Sequence, residues 1–250
     1  MVKESKQDSE VSRRPRVAYA ASCPAEGTGA AERKHSGEGE WKPACATKSG
    51  DLELNFFTKD FYARPTVTVA RDLLGTVLCR RFADGRIVSA PIVEVEAYTE
   101  DDPACHAFRG ITERCRVLFG PPGLAYVYFI YGMYNCLNVV TEPDGVPGAV
   151  LIRALATEGG TGPGKLCHTW QIDRSFNGAD FTSRESTLWI VEGQRVPDAN
   201  VGETVRIGVT SAQDRIWRFY MKNNEFVSGP RKLGGGKRPI LKKKLTGRDK

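Results

Sequence analysis

The stretch LAYVYFIYGMYNCLNVV, residues 124–140, places two β-prone runs on either side of the pair Tyr131-Gly132. Five of the nine residues from Tyr126 to Tyr134 are aromatic, and four of the chain's eight tyrosines lie within the stretch. A glycine-containing pair between aromatic and β-branched runs is typical of the tight turn in a β-hairpin. We therefore expect a hairpin whose exposed tip carries Tyr131, Met133 and Tyr134.

A second hairpin precedes this stretch. Residues 66–74 predict a short helix, residues 76–82 predict a strand, and Asp84-Gly85 predicts a turn into a second strand that ends at Tyr98.

Side-chain alternation places Glu94, Glu96 and Tyr98 on one face of that second strand, and Val93 and Val95 on the other. Two interpretations of the face that carries Glu94 and Glu96 remain open. If the valine face packs on the core, the two carboxylates lie on a solvated surface. Alternatively, they form an acidic site beside an aromatic ring.

Further strands are predicted at residues 149–155, 188–191, 205–209 and 216–221, the first with Arg153 inside an apolar run. About seven short strands with few helices favour a single α+β domain. We expect it to be built on a curved, mostly antiparallel, barrel-like sheet with short flanking helices.

The ends of the chain differ from this middle part in composition. Residues 1–53 are rich in small and charged residues without a sustained period, which predicts a disordered tail before a folded domain over 54–228. Residues 229–250 hold nine Lys/Arg and one Asp, so the formal net charge of +6 arises there. Such a basic tail fits attraction to a polyanion, and it fits nuclear targeting or solubility equally well.

Several classes of function find no support in the sequence. The seven cysteines are odd in number and contain no Cys-x-x-Cys pair, and the three histidines do not cluster, so we expect no disulfide framework, no metal and no cofactor. The glycine-rich segment 159–165 fails the phosphate-loop pattern because Leu166 follows its lysine. Since no apolar run approaches the roughly 18 residues of a membrane helix, we expect neither membrane insertion nor secretion.

Several motifs, taken in order and spacing, resemble the 3-methyladenine (alkyladenine) DNA glycosylase family. The resemblance extends over most of residues 56–229. It is carried by IVEVEAY at 92–98, His106, LAYVYFIYGMYNCLN at 124–138 and LIRAL at 151–155, and more faintly by GPGKL at 162–166, Ser175-Phe176 and RFYMKNNEFVSG at 218–229.

The resemblance implies roles for individual residues. Glu96 matches the general base that deprotonates the attacking water, and Arg153 matches a residue that positions this water and the sugar-phosphate. Tyr98 and Tyr128 match the rings that sandwich the flipped base, while His106 matches the residue that closes the slot and hydrogen-bonds the base.

Further roles concern selectivity and DNA. Asn138 matches the side chain whose bulk disfavours the amino group of normal guanine. Tyr131 matches the wedge that fills the gap left by the extruded nucleotide, and Met133 and Tyr134 accompany it on the DNA-binding tip.

The implied activity is excision of alkylated or deaminated purines from double-stranded DNA by simple hydrolysis, which leaves an abasic site. 3-Methyladenine and 7-methylguanine are the expected lesions, with hypoxanthine and ethenoadenine as further candidates. We expect a monomer, located in the nucleus of a eukaryote or otherwise in the cytoplasm at the nucleoid.

One departure and two alternatives accompany the resemblance. Family members usually carry a longer segment where this chain has only residues 156–161, which bears on core packing and DNA contacts.

One alternative is a non-catalytic nucleic-acid-binding module, because the same architecture occurs in an RNA-binding domain of a formyltransferase. The other is a hydrolase that acts on small aromatic cations.

Overall fold

The structure is a computed structural model that describes residues 55–229. The predicted tails 1–53 and 229–250 lie outside these residues, apart from Gly229. Within these residues, three short α-helices and eight strands are joined by loops that include three short 3-10 helices. In order they are α1 (Lys59–Tyr62), α2 (Thr66–Asp72), β1 (Val77–Arg81), β2 (Ile87–Tyr98), β3 (Ala125–Ile130), β4 (Tyr134–Thr141), β5 (Gly148–Leu155), α3 (Pro163–Thr169), β6 (Leu188–Val191), β7 (Val201–Thr204) and β8 (Arg218–Met221).

The strands form one sheet in the order β3-β4-β5-β2-β1-β6, and β8 joins it through β2 and carries β7. Every strand pair within residues 55–229 is antiparallel. The sheet curls into a half-barrel flanked by short helices, which confirms the predicted α+β class.

The long strand β2 organises this sheet. Its first half pairs with β1, and its second half pairs with both β5 and β8. The register of its pairing with β5 shifts on either side of Glu94. Such irregularities bend a strand and increase its twist, so β2 changes neighbours partway along its length.

The helix α2 covers part of the core. Val69 and Ala70 are fully buried on the face that packs against β2 and β5. The Glu142 carboxylate accepts hydrogen bonds from the backbone N–H of Thr66 (2.6 Å) and from its hydroxyl (2.7 Å). A carboxylate at this end of a helix satisfies free N–H groups and complements the helix dipole.

One predicted strand is wrong. Residues 205–209 form a loop, and the strand lies just before them at Val201–Thr204. The VRIGV sequence has the β-branched residues of a strand, but Gly208 has φ of 79° and the backbone N–H of Ile207 bonds to a side chain of β2. One tertiary hydrogen bond and a glycine with positive φ therefore outweigh strand propensity here.

The short connection after β5 closes tightly. The backbone N–H of Leu155 donates to Gly160 O (3.0 Å), and Ala154 and Thr161 form an antiparallel bridge. A Cβ atom added to Gly160 would lie 2.6 Å from Leu155 O, so the turn needs a glycine there. Residues 156–161 therefore lead directly from β5 into α3.

No helix among the described residues is long and apolar enough to cross a membrane.

Candidate active site

Glu96 lies on β2 with its side chain fully buried. Its Oε2 accepts a hydrogen bond from the Tyr98 hydroxyl (2.9 Å) and lies 3.1 Å from Arg153 Nη1. Its Oε1 accepts a hydrogen bond from the backbone N–H of Ile207 (2.7 Å). Both carboxylate oxygens therefore have donors, as a buried charge requires.

Glu94 lies two residues earlier and is also fully buried. Its Oε1 accepts hydrogen bonds from Arg153 Nε (2.9 Å) and Arg218 Nε (2.7 Å). The Ser228 hydroxyl also donates to Oε1 (2.9 Å), and the Ser228 backbone N–H donates to Oε2 of Glu94 (2.6 Å). The interpretation of the acidic face as a solvated surface is thus wrong, because both carboxylates are fully buried and Arg218, Ser228 and the Ile207 N–H bond to them.

Arg153 joins the two carboxylates from the neighbouring strand β5. Its Nε contacts Glu94 and its Nη1 contacts Glu96. Burial acts to lower the pKa of Arg153, but Glu96 and Glu94 outweigh it and raise that pKa. Two guanidinium groups, those of Arg153 and Arg218, thus balance two carboxylates in a dry interior.

An aromatic cavity of about 240 Å³ lies beside this buried cluster. It is several times larger than the roughly 30 Å³ that one water occupies in the liquid, so it can hold a small ring system. Its walls come from β2, β3, β4, β5 and two loops, and they include Tyr98, His106, Tyr126, Tyr128, Ile130 and Asn138.

The cavity brings the predicted base-binding residues together. The ring centroids of His106 and Tyr128 lie 4.6 Å apart at an interplanar angle of 79°. Burial, and next the adjacent Glu96 carboxylate, raises the pKa of Tyr98 well above its usual value, so this hydroxyl remains a donor. Asn138 is buried and donates from Nδ2 to Tyr126 O (2.9 Å).

His106 is neutral in this environment. Burial of the ring, and then the positive charge of Arg114, lower the pKa of His106 to about 4. Its Nδ1 lies 2.8 Å from the Tyr126 hydroxyl. Sequence reasoning did not assign Tyr126 a role, because a tyrosine in an aromatic strand is indistinguishable from ordinary packing until its partner is known.

Glu96 itself does not line the cavity. Tyr98 lies between Glu96 and the cavity, because its side chain lines the cavity and its hydroxyl bonds to Glu96. The loop that covers Glu96 through Ile207 also contributes Gly208 and Val209 to the cavity wall. The same loop thus shields the carboxylate and borders the cavity.

A buried ion pair, absent from the sequence-based prediction, holds that loop. Arg206 and Asp102 are paired with both side chains at 0% exposure, and Arg206 Nη1 also donates to Ala97 O (2.9 Å). The guanidinium carbon lies 4.5 Å from the centre of the Tyr98 ring, on which it stacks. The adjacent residues Asp101 and Asp102 therefore differ in burial: the side chain of Asp102 is buried, and that of Asp101 is exposed.

The predicted hairpin tip is confirmed. Tyr131, Met133 and Tyr134 are 75%, 65% and 43% exposed, which is unusual for large apolar side chains. Tyr131 and Gly132 have φ angles of 54° and 68°. Ile130 lines the cavity at the base of the tip, so the exposed residues begin directly beyond its wall.

A larger cleft of about 450 Å³ lies between the two N-terminal helices and residues 192–198. It contains none of the predicted site residues. Within residues 55–229 there is no cluster of three His, Cys, Asp or Glu side chains able to hold a metal ion. The chemistry that the sequence predicts is therefore concentrated at the smaller, aromatic cavity.

Comparisons with known proteins show the family to which the chain is related. The sequence profile of the family described as Methylpurine-DNA glycosylase (MPG) matches residues 60–161 and 157–225. A protein of Methanocella arvoryzae is 49% identical over 192 residues, covering 68% of this chain and 94% of the relative. One of Carboxydothermus hydrogenoformans is 45% identical over 187 residues, covering 68% and 97%. One of Herpetosiphon aurantiacus is 39% identical over 199 residues, covering 71% and 90%. Each of these three is named "Putative 3-methyladenine DNA glycosylase".

The two matched parts of the profile meet at residues 157–161, in the short connection after β5. A break at this point is the expected result when family members carry a longer segment there. The profile and the relatives together cover the strands and loops that form the aromatic cavity. The chain belongs to the methylpurine-DNA glycosylase family, and it is a DNA glycosylase of base excision repair.

Proposed function

We propose that the chain flips a damaged purine out of double-stranded DNA into the aromatic cavity and hydrolyses its bond to the sugar, with Glu96 as the base that activates water. The observation that carries this proposal is the contact between the two parts of the site. Glu96, Tyr98 and Arg153 form one hydrogen-bonded unit, and Tyr98 is also a wall of the cavity.

Access of water to Glu96 depends on the loop that covers it. Ile207 occupies Oε1 through its backbone N–H, and Gly208 and Val209 of the same loop line the cavity. A nucleotide that enters the cavity therefore meets the segment that shields the carboxylate. Displacement of the Ile207 N–H would free Oε1 for a water molecule next to the sugar, where general-base catalysis acts.

The cavity suits purines that carry positive charge. Stacking of an alkylated base on Tyr98 and Tyr128 adds a cation–π attraction of about 0.5–2 kcal/mol that an undamaged base lacks. Because His106 has a pKa of about 4, it is not an imidazolium at neutral pH and cannot protonate the leaving base, although its remaining ring N–H can still donate a hydrogen bond. Lesions such as 3-methyladenine and 7-methylguanine leave as good leaving groups without protonation, whereas hypoxanthine and ethenoadenine depend more on hydrogen bonds within the cavity.

Simple hydrolysis agrees with the groups that surround the cavity. A glycosylase that also cuts the DNA strand uses an amine to form a covalent intermediate. Within the described residues, no lysine lines the cavity. We therefore propose an abasic site as the product, without strand cleavage.

A nucleic-acid-binding module without catalysis is the second candidate. It is favoured by the complete burial of Glu96, whose two oxygens are both occupied by protein donors. The two candidates differ in whether Glu96 affects a chemical step.

The variant Glu96→Gln distinguishes them. Because an amide cannot accept the proton of water, we expect single-turnover excision of 3-methyladenine to fall by roughly a hundredfold to ten-thousandfold. Affinity for the same duplex should change little, as measured by fluorescence anisotropy. Excision is measured by counting abasic sites in a duplex with one lesion.

The matched control is Glu158→Gln, which makes the same change on an exposed loop and should retain wild-type excision. Unchanged excision by Glu96→Gln would remove Glu96 from the mechanism. Absence of excision by the wild-type chain on every lesion, with duplex binding intact, would favour the non-catalytic module.

A further inference from the structure

The aromatic tip of the β3–β4 hairpin rests on the main chain of α3. A Cβ atom added to Gly164, in the first turn of α3, would lie 2.8 Å from both Cγ and Cδ1 of Tyr134. Real Cβ atoms do not approach ring carbons so closely, so the Tyr134 ring packs directly against the backbone at Gly164. Because glycine has no side chain, it is the residue that leaves room for this contact.

The helix α3 is fixed firmly enough to support the tip. Leu166 and Cys167 of this helix are buried in the main hydrophobic core, and the helix packs against β4 and β5. The short connection after β5 adds a second attachment, because the Thr169 hydroxyl donates to Gly159 O (3.3 Å). The backbone on which Tyr134 lies is therefore held both by the core and by the preceding loop.

The end of the hairpin has little support of its own. Tyr131 is 75% exposed, and a Cβ atom added to Gly132 would meet no atom within 4 Å among residues 55–229 beyond its chain neighbours. Tyr134 is 43% exposed and pairs with Ile130 directly below the turn. Its contact with α3 therefore restrains the hairpin at the point where the turn begins.

We propose that Gly164 is a positioning residue for the wedge: it lets α3 support Tyr134, and this support holds Tyr131 in the orientation in which it enters the DNA. The inference rests on the proposed function, because it concerns how the tip assists extrusion of the base. A wedge that is ordered before binding loses less conformational entropy when it inserts. The support should matter most in a fully paired duplex, where extrusion requires the most free energy.

The variant Gly164→Ala tests this role, because its methyl group forces the Tyr134 ring aside. The ring is partly exposed and can move, so the chain should still fold. We expect single-turnover excision of a lesion from a fully paired duplex to fall roughly three- to tenfold, with a smaller loss when the lesion lies opposite a mismatched base. A smaller amount of folded protein would instead lower both rates by the same factor.

The variant Tyr134→Ala supplies the matched background. The three atoms nearest to the added Cβ all belong to Tyr134, so without its ring the change Gly164→Ala should cause no further loss of excision. In this background it should also raise the midpoint of chemical denaturation, because alanine favours a helix more than glycine does. In the wild-type background the displaced ring should offset that gain.

Circular dichroism checks that each variant is folded. If Gly164→Ala alone is unfolded, Tyr134→Ala makes the same test, because it removes the contact with α3 without a clash. It should then show the larger loss on the paired duplex.

Three results would overturn the inference: wild-type excision by Gly164→Ala, equal fractional losses on the paired and mismatched duplexes, or the same loss with and without the Tyr134 ring. Tyr131→Asn separates this failure from failure of the proposed function. If Tyr131→Asn loses more on the paired duplex and Gly164→Ala does not, only the role of Gly164 is excluded. If Tyr131→Asn loses equally on both duplexes, the proposed wedge itself is excluded.

Discussion

At the scale of single residues, the two acids of β2 show how position sets chemistry. Glu94 and Glu96 are two residues apart and equally buried, and they share Arg153. Glu94 is also held by Arg218 and Ser228, neither of which lines the cavity. Its role is to hold Arg153 in place, whereas Glu96 is linked to the cavity through Tyr98.

His106 supplies a prediction on pH. We expect it to titrate near pH 4 in the folded chain, because its ring is buried and the charge of Arg114 opposes protonation. Removing that charge in Arg114→Gln should raise the pKa of His106 towards its ordinary value of 6.5, with burial still holding it below. NMR titration of the imidazole measures both values.

The sign of the effect on stability follows from the same shift. Between about pH 4 and pH 6.5 the unfolded chain binds a proton at His106 and the folded chain does not. The free energy of unfolding should therefore fall as the pH is lowered through this window. Arg116→Gln, an exposed arginine paired with Glu113, is the control that should leave the His106 pKa unchanged. A native His106 that titrates near 6.5 would contradict this account.

At the scale of elements, the hairpin of β3 and β4 combines a stable turn with an exposed aromatic tip. Tyr131 and Gly132 both have positive φ, and Met133 N–H donates to Ile130 O (3.2 Å). This is the turn type that matches the twist of paired strands, and it favours Asn-Gly. Tyrosine is less favourable than asparagine at the first central position of such a turn. A reason other than turn stability therefore accounts for Tyr131 at this position.

The variant Tyr131→Asn tests that reason. It should leave the free energy of unfolding equal or slightly higher, because asparagine adopts this conformation readily. Excision of a lesion from a fully paired duplex should fall on the order of tenfold, because no ring remains to stack in the gap left by the flipped base.

The control is the same lesion opposite a mismatched base. Extrusion of the lesion from such a pair requires less free energy, so the loss of excision in Tyr131→Asn should be smaller. Chemical denaturation measures the stability of the variant. Equal losses on the paired and mismatched duplexes would exclude a wedge role for Tyr131.

At the scale of the whole molecule, the pair Asp102 and Arg206 ties together two loops far apart in sequence. Asp102 follows β2, Arg206 follows β7, and both side chains are fully buried. Arg206 stacks on Tyr98 and precedes Ile207, whose N–H bonds to Glu96. One ion pair therefore holds a cavity wall and the loop that covers the Glu96 carboxylate.

Removal of one partner should be costly. Asp102→Asn leaves the Arg206 charge buried without its carboxylate, and we expect the free energy of unfolding to fall by about 3–5 kcal/mol. Asp101→Asn is a matched control one residue away. Its side chain is 75% exposed and paired with Arg215, so the change should stay within roughly 1 kcal/mol.

Denaturant unfolding curves compare the two variants. If both lose the same small amount, the buried pair contributes no more than a surface pair.

The sequence by itself determined the local features of this protein. Alternation and turn residues predicted the two hairpins, the exposed tip at Tyr131 and the strand that carries Arg153, and the motif spacing indicated the family. These features depend on residues within a few positions of one another, so they can be read along the chain.

Only the tertiary structure decided that both faces of β2 are buried from Ile92 to Ala97, where residues 205–209 turn away from the sheet, and which partners Glu94, Tyr126 and Arg206 have. Each of these depends on segments more than 18 residues apart in sequence, such as the 111 residues between Glu96 and Ile207. Burial and hydrogen-bond pairing are properties of the packed chain, because a side chain's partner is set by the neighbour that folding brings to it and not by the sequence around it.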